Sequence, residues 1–141
     1  MNYTVLVARI LFSMVFIVNG LMGHFGSLDA MAGYADMKGV PLPQVAVVIT
    51  GIMIVLGGLS ILLGVYVRVG ALLLVFFLVP TALIIHNFWT LEDEMARMND
   101  MAHFMKDLAL AGAAFLIWYF ERKAGTFPLS VSLEKKVKSE M

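Results

Sequence analysis

Residues 80–89, PTALIIHNFW, and residues 103–112, HFMKDLALAG, decide the fold of this chain. The first stretch ends an apolar run in a His-Asn-Phe-Trp sequence. The second begins another apolar run that already contains a histidine, a lysine and an aspartate. Polar groups at the ends of long hydrophobic segments are typical of helices that cross a membrane and carry a site near one of its surfaces.

The composition supports a membrane protein. Of the 141 residues, 61% are hydrophobic and 14% are charged, and the mean hydropathy is +0.91. A soluble domain is about half apolar and about a quarter charged, so lipid is the predicted solvent. The net charge is zero, which provides no basic field for nucleic acid. Cysteine is absent, which excludes disulfides and thiolate ligands.

Four apolar runs are long enough to cross a hydrocarbon layer, which takes roughly 20 residues per helix. They are Tyr3–Phe25, Gln44–Tyr66, Val67–Phe88 and Ala102–Phe120. The first run has no basic segment before it and no small-residue cleavage site after it, so we expect it to be retained as a span. Each run is predicted to be a helix, because backbone groups in lipid must pair internally.

A short amphipathic segment, Ser27–Gly39, is predicted to form an interfacial helix that Gly39 and the following prolines end. The predicted fold is therefore an all-α membrane protein, a four-transmembrane-helix bundle with a short interfacial helix between spans 1 and 2. It covers residues 1–123 as one domain, and residues 124–141 form a polar, basic, cytoplasmic tail.

Two polar side chains in the first span are predicted to have structural roles. Arg9 lies near the start of the span and fits either an anchor at the near surface or an ion-pair partner inside the bundle. Asn19 lies deeper, and we expect it to form a hydrogen bond to another helix, because an unpaired amide in lipid is costly.

Glycines in the second span recur seven residues apart, as Gly51 with Gly58 and Gly57 with Gly64. Small residues on neighbouring stripes predict that other helices approach this span closely. In the third span, Pro80 removes one backbone hydrogen bond and predicts a kink before the polar end.

The distribution of basic residues predicts the orientation. One side of the four-span arrangement carries Arg9, Arg68, Arg122, Lys123 and the tail lysines, and the other side carries Lys38, Arg97 and Lys106. The positive-inside rule then places both termini in the cytoplasm. All three histidines of the chain fall on the outer side, which indicates a site there.

The candidate ligand-binding residues are His86, Trp89, His103, Lys106 and Asp107. Residues three or four apart share one helix face, so Asp100, His103 and Asp107 form a stripe on the fourth span. A quinone or a similar amphipathic ligand fits such a group, with donors for its carbonyls and a carboxylate or histidine for proton transfer.

Two other interpretations of these residues remain open. A metal site is the first, although no helix carries a His-x-x-x-His or Glu-x-x-His pair, so we assign no metal ligands. The second is purely structural, with His86 and Trp89 anchoring the chain at the interface and Lys106 and Asp107 pairing with other helices. No catalytic residue is identified.

The chain resembles the DoxX family of small four-helix membrane proteins. The resemblance rests on the stretches Ala8-Arg9-Ile10-Leu11 to Phe16 and Gly20, Tyr34 to Pro41 (YADMKGVP), Gly57-Gly58 to Gly64 with Arg68 and Ala71, His86 to Trp89 (HNFW), and Phe104 to Gly112 (FMKDLALAG). Members often have Lys-Asn in the fourth helix, where this chain has Lys106-Asp107, which keeps a hydrogen-bonding group and adds a charge.

The resemblance implies a role in redox membrane assemblies, because the family takes its name from the membrane subunit of a thiosulfate:quinone oxidoreductase. The expected function is a redox-associated inner-membrane subunit that binds quinone or another small amphipathic ligand near the outer face. Quinone is then the candidate cofactor, and the partners would be the lipid bilayer and an oxidoreductase subunit. The alternatives are a non-enzymatic scaffold or assembly factor, which would dock a partner or a second copy along its glycines, and then a small transporter.

Overall fold

A computed structural model of the chain describes residues 3–124, and within that range every regular element is a helix. The helices are α1 (Tyr3–Val18), α2 (Leu28–Met37), α3 (Pro43–Leu63), α4 (Val67–Ile84) and α5 (Glu94–Ala124). A π-helical segment, Asn19–Phe25, continues α1 without a break, and a 3-10 turn, Phe88–Thr90, separates α4 from α5.

The predicted all-α, four-span architecture is confirmed. The helices long and apolar enough to cross a membrane are Tyr3–Phe25, Pro43–Leu63, Val67–Thr90 and Glu94–Lys123. The predicted tail lies outside the described residues from position 125 onward. These four spans make the protein a multi-pass membrane protein by length and composition.

The fourth span begins at Glu94, well before the predicted Ala102. Its first turns are polar, so hydropathy alone does not reveal them. The Asp93 side chain accepts a hydrogen bond from the Ala96 amide at 2.7 Å and so caps the new helix end. This early start brings Asp100 onto the same helix as His103 and Asp107.

The short helix α2 ends in a defined cap that fixes the next residue, Lys38. Gly39 adopts a left-handed φ of 76°, which glycine reaches without a Cβ clash. The Gly39 amide donates to the Asp36 carbonyl at 2.9 Å and the Val40 amide to the Ala35 carbonyl at 3.0 Å. This is the Schellman arrangement of helix ends. A short helix is thus present where one was predicted, while its place at the membrane interface stays a prediction.

The helices pack in the order α1, α3, α4, α5, and α2 packs against α3 and the π-helical segment. Glycines of α3 let neighbouring helices approach closely, as predicted. A Cβ built on Gly51 would lie 2.8 Å from His24 Cβ, and one on Gly58 would lie 2.9 Å from Ile17 Cγ1. A Cβ on Gly57 faces the opposite neighbour, α4. The glycines therefore let α3 pack tightly between two helices of its own chain.

Gly64 has a different role from the other α3 glycines, because its φ of 72° ends the helix. The side chain of Arg9 completes this end. Arg9 is only 4% exposed, and it donates to the carbonyls of Ile61 at 3.0 Å and Leu62 at 2.5 Å. A cation at the C-terminal carbonyls of a helix is favourable, so Arg9 joins the first span to the end of the second.

The end of the bundle that holds Arg9 also gathers other basic residues. The guanidinium carbons of Arg68 and Arg122 lie 5.9 Å and 6.0 Å from the centre of the Trp118 ring. The core between this end and the opposite one is apolar, with Phe16, Ile54 and other buried side chains of the central cluster. The two ends of the bundle are thus chemically different.

The glycine packing gives a first prediction. In Gly57→Ala the new Cβ would lie 2.7 Å from Leu74 Cδ2 and 3.0 Å from the Gly70 carbonyl oxygen, so the helices must shift apart. We expect the free energy of unfolding to fall by about 1–3 kcal/mol. The measurement is thermal unfolding of the purified protein in mild detergent.

Gly112→Ala is the matched control, because a Cβ there meets nothing within 4 Å. It should be neutral or slightly stabilising, since alanine favours a helix more than glycine does. Equal loss in both variants would contradict the close packing of α3 against α4.

Candidate functional site

A cavity of about 430 Å³ lies at the end of the bundle opposite Arg9. All four spans and α2 contribute to its wall. Its lining includes the polar residues Asn19, His24, Tyr34, Thr50, Thr81, His86, His103, Lys106 and Asp107 and apolar residues such as Phe16, Met31, Ile54, Phe77, Leu78 and Leu110. This volume lies within the range typical of small-molecule sites, and mainly apolar walls with a few convergent polar groups are their usual form.

His86 is central to the polar part of the cavity. It follows the end of α4 and lies between two carboxylates of α5. Its Nδ1 is 3.5 Å from Asp100 Oδ1, and its Nε2 is 3.8 Å from Asp107 Oδ2. The two aspartates are seven residues apart, which is about two helical turns, so one helix face presents both to the same ring. Asp100 is 6% exposed and Asp107 is 5% exposed.

Lys38 ties the end of α2 to this group. Its Nζ donates to Asn87 Oδ1 at 2.7 Å and lies 3.2 Å from Asp100 Oδ2. Both side chains of the ion pair are largely buried, since 11% of the Lys38 side chain and 8% of the Asp100 side chain, taken without its backbone, are exposed. Asp100 thus accepts from Lys38 with one oxygen and contacts His86 with the other. The pair compensates two charges that burial would otherwise penalise.

His103 stacks on His86, with 4.9 Å between the ring centres and 18° between the planes. Its Nδ1 lies 2.9 Å from Nζ of Lys106. An ammonium group can only donate, so Nδ1 of His103 accepts and the ring hydrogen is on Nε2 when His103 is neutral. Because His103 and Lys106 both line the cavity, they offer it hydrogen-bond donors.

The π-helical segment brings His24 to the wall of the cavity. His24 is 6% exposed, its ring packs edge-on against Phe77, and its Nδ1 lies 3.3 Å from the Asn19 carbonyl oxygen. That oxygen can only accept, so Nδ1 of His24 donates. π-helical turns are rare and frequently occur at functional sites, and here the wider winding forms part of the wall.

Among the described residues, the side chain of Asn19 does not form the predicted hydrogen bond to another helix. Its Nδ2 donates to the Val15 carbonyl oxygen at 2.7 Å, within its own helix. The prediction was wrong because an amide in apolar surroundings can be satisfied by the carbonyl one turn earlier on the same helix.

Four of the five sequence-predicted site residues come together here. His86, His103, Lys106 and Asp107 all line the cavity. Trp89 is placed apart from them. Its ring is 55% exposed and packs against Phe88 and Phe104, outside the lining.

Sequence reasoning missed Lys38, Asn87 and the central position of Asp100. Lys38 belongs to the YADMKGVP stretch, directly before the glycine that ends α2. A lysine next to a helix-ending glycine, in a chain that also carries an acidic stripe on another helix, could have predicted an ion pair between the two helices. The pairing of these elements is a tertiary fact that one sequence does not reveal.

Within residues 3–124, no group of three histidine or acidic side chains is arranged to hold a metal ion. The arrangement is instead suited to hydrogen bonding and proton exchange. Two carboxylates and two imidazoles are in contact around His86, and these groups can accept or release protons. Lys38 and Lys106 lie at the edges of the group.

Comparison with known proteins agrees with this architecture. The DoxX family model matches residues 4–87, which is more than half of the chain and includes His86. The chain belongs to the DoxX family. This DoxX protein is also 33% identical over 134 residues to inner membrane protein YphA of Escherichia coli K12, which covers 93% of this chain and 88% of that protein. No solved structure matches the chain.

The Lys38–Asp100 pair gives a second prediction. Lys38→Met keeps the length of the side chain and removes its charge, which leaves the buried Asp100 with His86 as its remaining contact. We expect a loss of about 2 kcal/mol or more in the free energy of unfolding. Thermal unfolding in mild detergent measures it.

Lys106→Met is the control for this prediction. Lys106 is exposed, and the one hydrogen bond that it forms within residues 3–124, to His103, is exposed as well. Its loss should cost much less, because an exposed polar contact contributes little to stability. If both lysine variants unfold alike, the Lys38–Asp100 pair does not hold the polar end together.

Proposed function

We propose that this DoxX protein binds a small amphipathic molecule, with quinone as the first candidate, and serves as the membrane subunit of a redox assembly. The polar head would lie near His86, His103, Lys106 and Asp107, and the apolar part would lie among the side chains of the four spans. The site would face the outer side of the inner membrane, with both termini in the cytoplasm.

The observation that carries this proposal is the cavity itself. It combines about 430 Å³ of space, mainly apolar walls and a few polar groups, of which His103, Lys106 and Asp107 form a cluster with His86. An aqueous solute would need polar groups on every wall, whereas an amphipathic molecule needs them at one end only. Quinone is the first candidate because the family takes its name from a subunit of a quinone-linked oxidoreductase.

The difference between the two ends of the bundle supports the proposed orientation. Arg9, Arg68 and Arg122 gather at the end away from the cavity. Arginine and lysine are more frequent on the cytoplasmic side of inner-membrane proteins. The cavity would then open toward the opposite, outer side.

Two alternatives receive less support. A scaffold was expected to dock partners along the α3 glycines, but Gly51, Gly57 and Gly58 already face helices of the same chain. A transporter was expected to have a polar path between both faces. Buried apolar side chains such as Leu74 and Ala114 belong to the central cluster and lie outside the cavity lining.

The experiment is equilibrium binding of decylubiquinone to the purified protein in mild detergent. We expect saturable, one-to-one binding by the wild type. His103→Phe keeps a stacked ring and removes both ring nitrogens, so affinity should fall about tenfold for one lost hydrogen bond. Ala46→Phe places a ring in the cavity lining and should abolish binding.

Met105→Leu is the matched control on α5, because Met105 is 61% exposed and lies outside the cavity lining. It should bind like the wild type. No saturable binding by the wild type, or equal binding by Ala46→Phe, contradicts the proposed site. Purification from native membranes tests the redox role separately, because an oxidoreductase should co-purify at fixed stoichiometry, and a homo-oligomer alone contradicts that role.

A further inference from the structure

Asp107 is the one acidic side chain of this group without a close partner. Its nearest contact in an ion pair is His86 Nε2, at 3.8 Å, which is too long for a hydrogen bond. Among the described residues 3–124, Asp107 accepts no hydrogen bond, although it is only 5% exposed. Asp100, in contrast, is held by both Lys38 and His86.

The side chain of Asp107 is largely buried, but its oxygens are not sealed in the core, so a donor to them can come from the cavity. The side chain of Asp107 lines the cavity, so a molecule in the cavity can reach its oxygens. Burial favours the neutral acid, whereas the Lys106 ammonium beside it, together with His86 and His103, favours the ionised carboxylate. An ionised carboxylate only accepts hydrogen bonds.

Other groups on the wall also constrain the ligand. Nδ1 of His24 donates to a carbonyl oxygen, so Nε2 of the neutral ring is a second acceptor. His103 contributes an Nε2 hydrogen, because Lys106 occupies its other nitrogen. The polar part of the cavity is therefore complementary to a head group that both donates and accepts hydrogen bonds.

We propose that the cavity selects apolar molecules with a hydroxyl head group, of which phenols and hydroquinones are the fitting class, and that the hydroxyl donates to Asp107. The same hydroxyl oxygen accepts from His103. A quinone has only acceptor oxygens and leaves Asp107 unsatisfied, so the reduced, hydroquinone form is the better ligand. This inference rests on the proposed function, since it names the chemistry that the same cavity prefers.

Displacement of water from the cavity explains why a ligand with a hydroxyl group should bind more tightly than one that cannot donate a hydrogen bond. Before a ligand binds, water in the cavity can donate to Asp107. A ligand that displaces this water without replacing its hydrogen bond loses affinity, whereas a hydroxyl replaces it. The hydrogen bond to a charged acceptor is also among the stronger ones in proteins.

The test compares 4-nonylphenol with 4-nonylanisole, whose tail and ring are the same and whose oxygen carries a methyl group in place of the hydrogen. Both are titrated into the full-length protein in mild detergent by isothermal calorimetry. We expect the phenol to bind roughly tenfold to hundredfold more tightly. In Asp107→Asn, whose side chain has the same shape and keeps a neutral acceptor oxygen, the preference for the phenol should shrink to roughly a few-fold, because the charge-assisted part of the hydrogen bond is lost.

Equal binding of the two ligands to the wild-type protein overturns the inference, and this comparison needs no variant. It leaves the proposed function standing if both ligands still compete with decylubiquinone. If neither ligand nor decylubiquinone binds, the proposed function itself fails. Tighter binding of nonylammonium than of the phenol also overturns the inference, since Asp107 would then be a site for a cation.

His103→Phe separates the donor role of Asp107 from a general loss of the site. It should weaken the phenol and the anisole by the same factor, because both oxygens accept from His103. The ratio of the two dissociation constants should therefore stay at its wild-type value. A ratio that collapses in His103→Phe and persists in Asp107→Asn would assign the selection to the histidine and overturn the role of Asp107.

Discussion

The ion pair between Lys38 and Asp100 is the contact on which the polar end of the bundle depends. Helix α2 packs against α3 and the π-helical segment, whereas α5 packs against α4. The lysine at the end of α2 therefore links two parts of the molecule whose backbones are not in close contact. Breaking one partner of a largely buried pair leaves a charge without compensation, so the cavity wall and the aspartate stripe are held in place together.

Much of this fold follows from the sequence, because apolar runs of about 20 residues have few alternatives in lipid. The start of α5 could not be read in the same way. Its first turns carry Glu94, Arg97 and Asp100, and such residues raise no hydropathy signal although they form a capped helix. The π-helical winding from Asn19 was also not predicted, since it depends on the contacts of His24 and Gly51 with neighbouring elements.

The candidate site was predictable where it depends on one helix and unpredictable where it depends on tertiary contacts. The spacing of Asp100, His103 and Asp107 places them on one face by helical geometry alone. That His86 would lie between the two aspartates required the register of α4 against α5. The separation of Trp89 from the cavity also depends on tertiary structure. Trp89 lies in the 3-10 turn after α4, apart from the cluster of His86 with the two aspartates.

The length of α5 has a consequence for the depth of the cavity in the bilayer. A helix of 31 residues is about 46 Å long, whereas bilayer hydrocarbon is about 30 Å thick. The acidic first turns are costly in lipid, so the excess length extends from that end into the headgroup layer and the water beyond it. Asp107 is about 10 Å further along the axis than Asp100. The head group of the proposed ligand, bound near Asp107, would then lie close to the headgroup layer while its apolar part lies in the hydrocarbon.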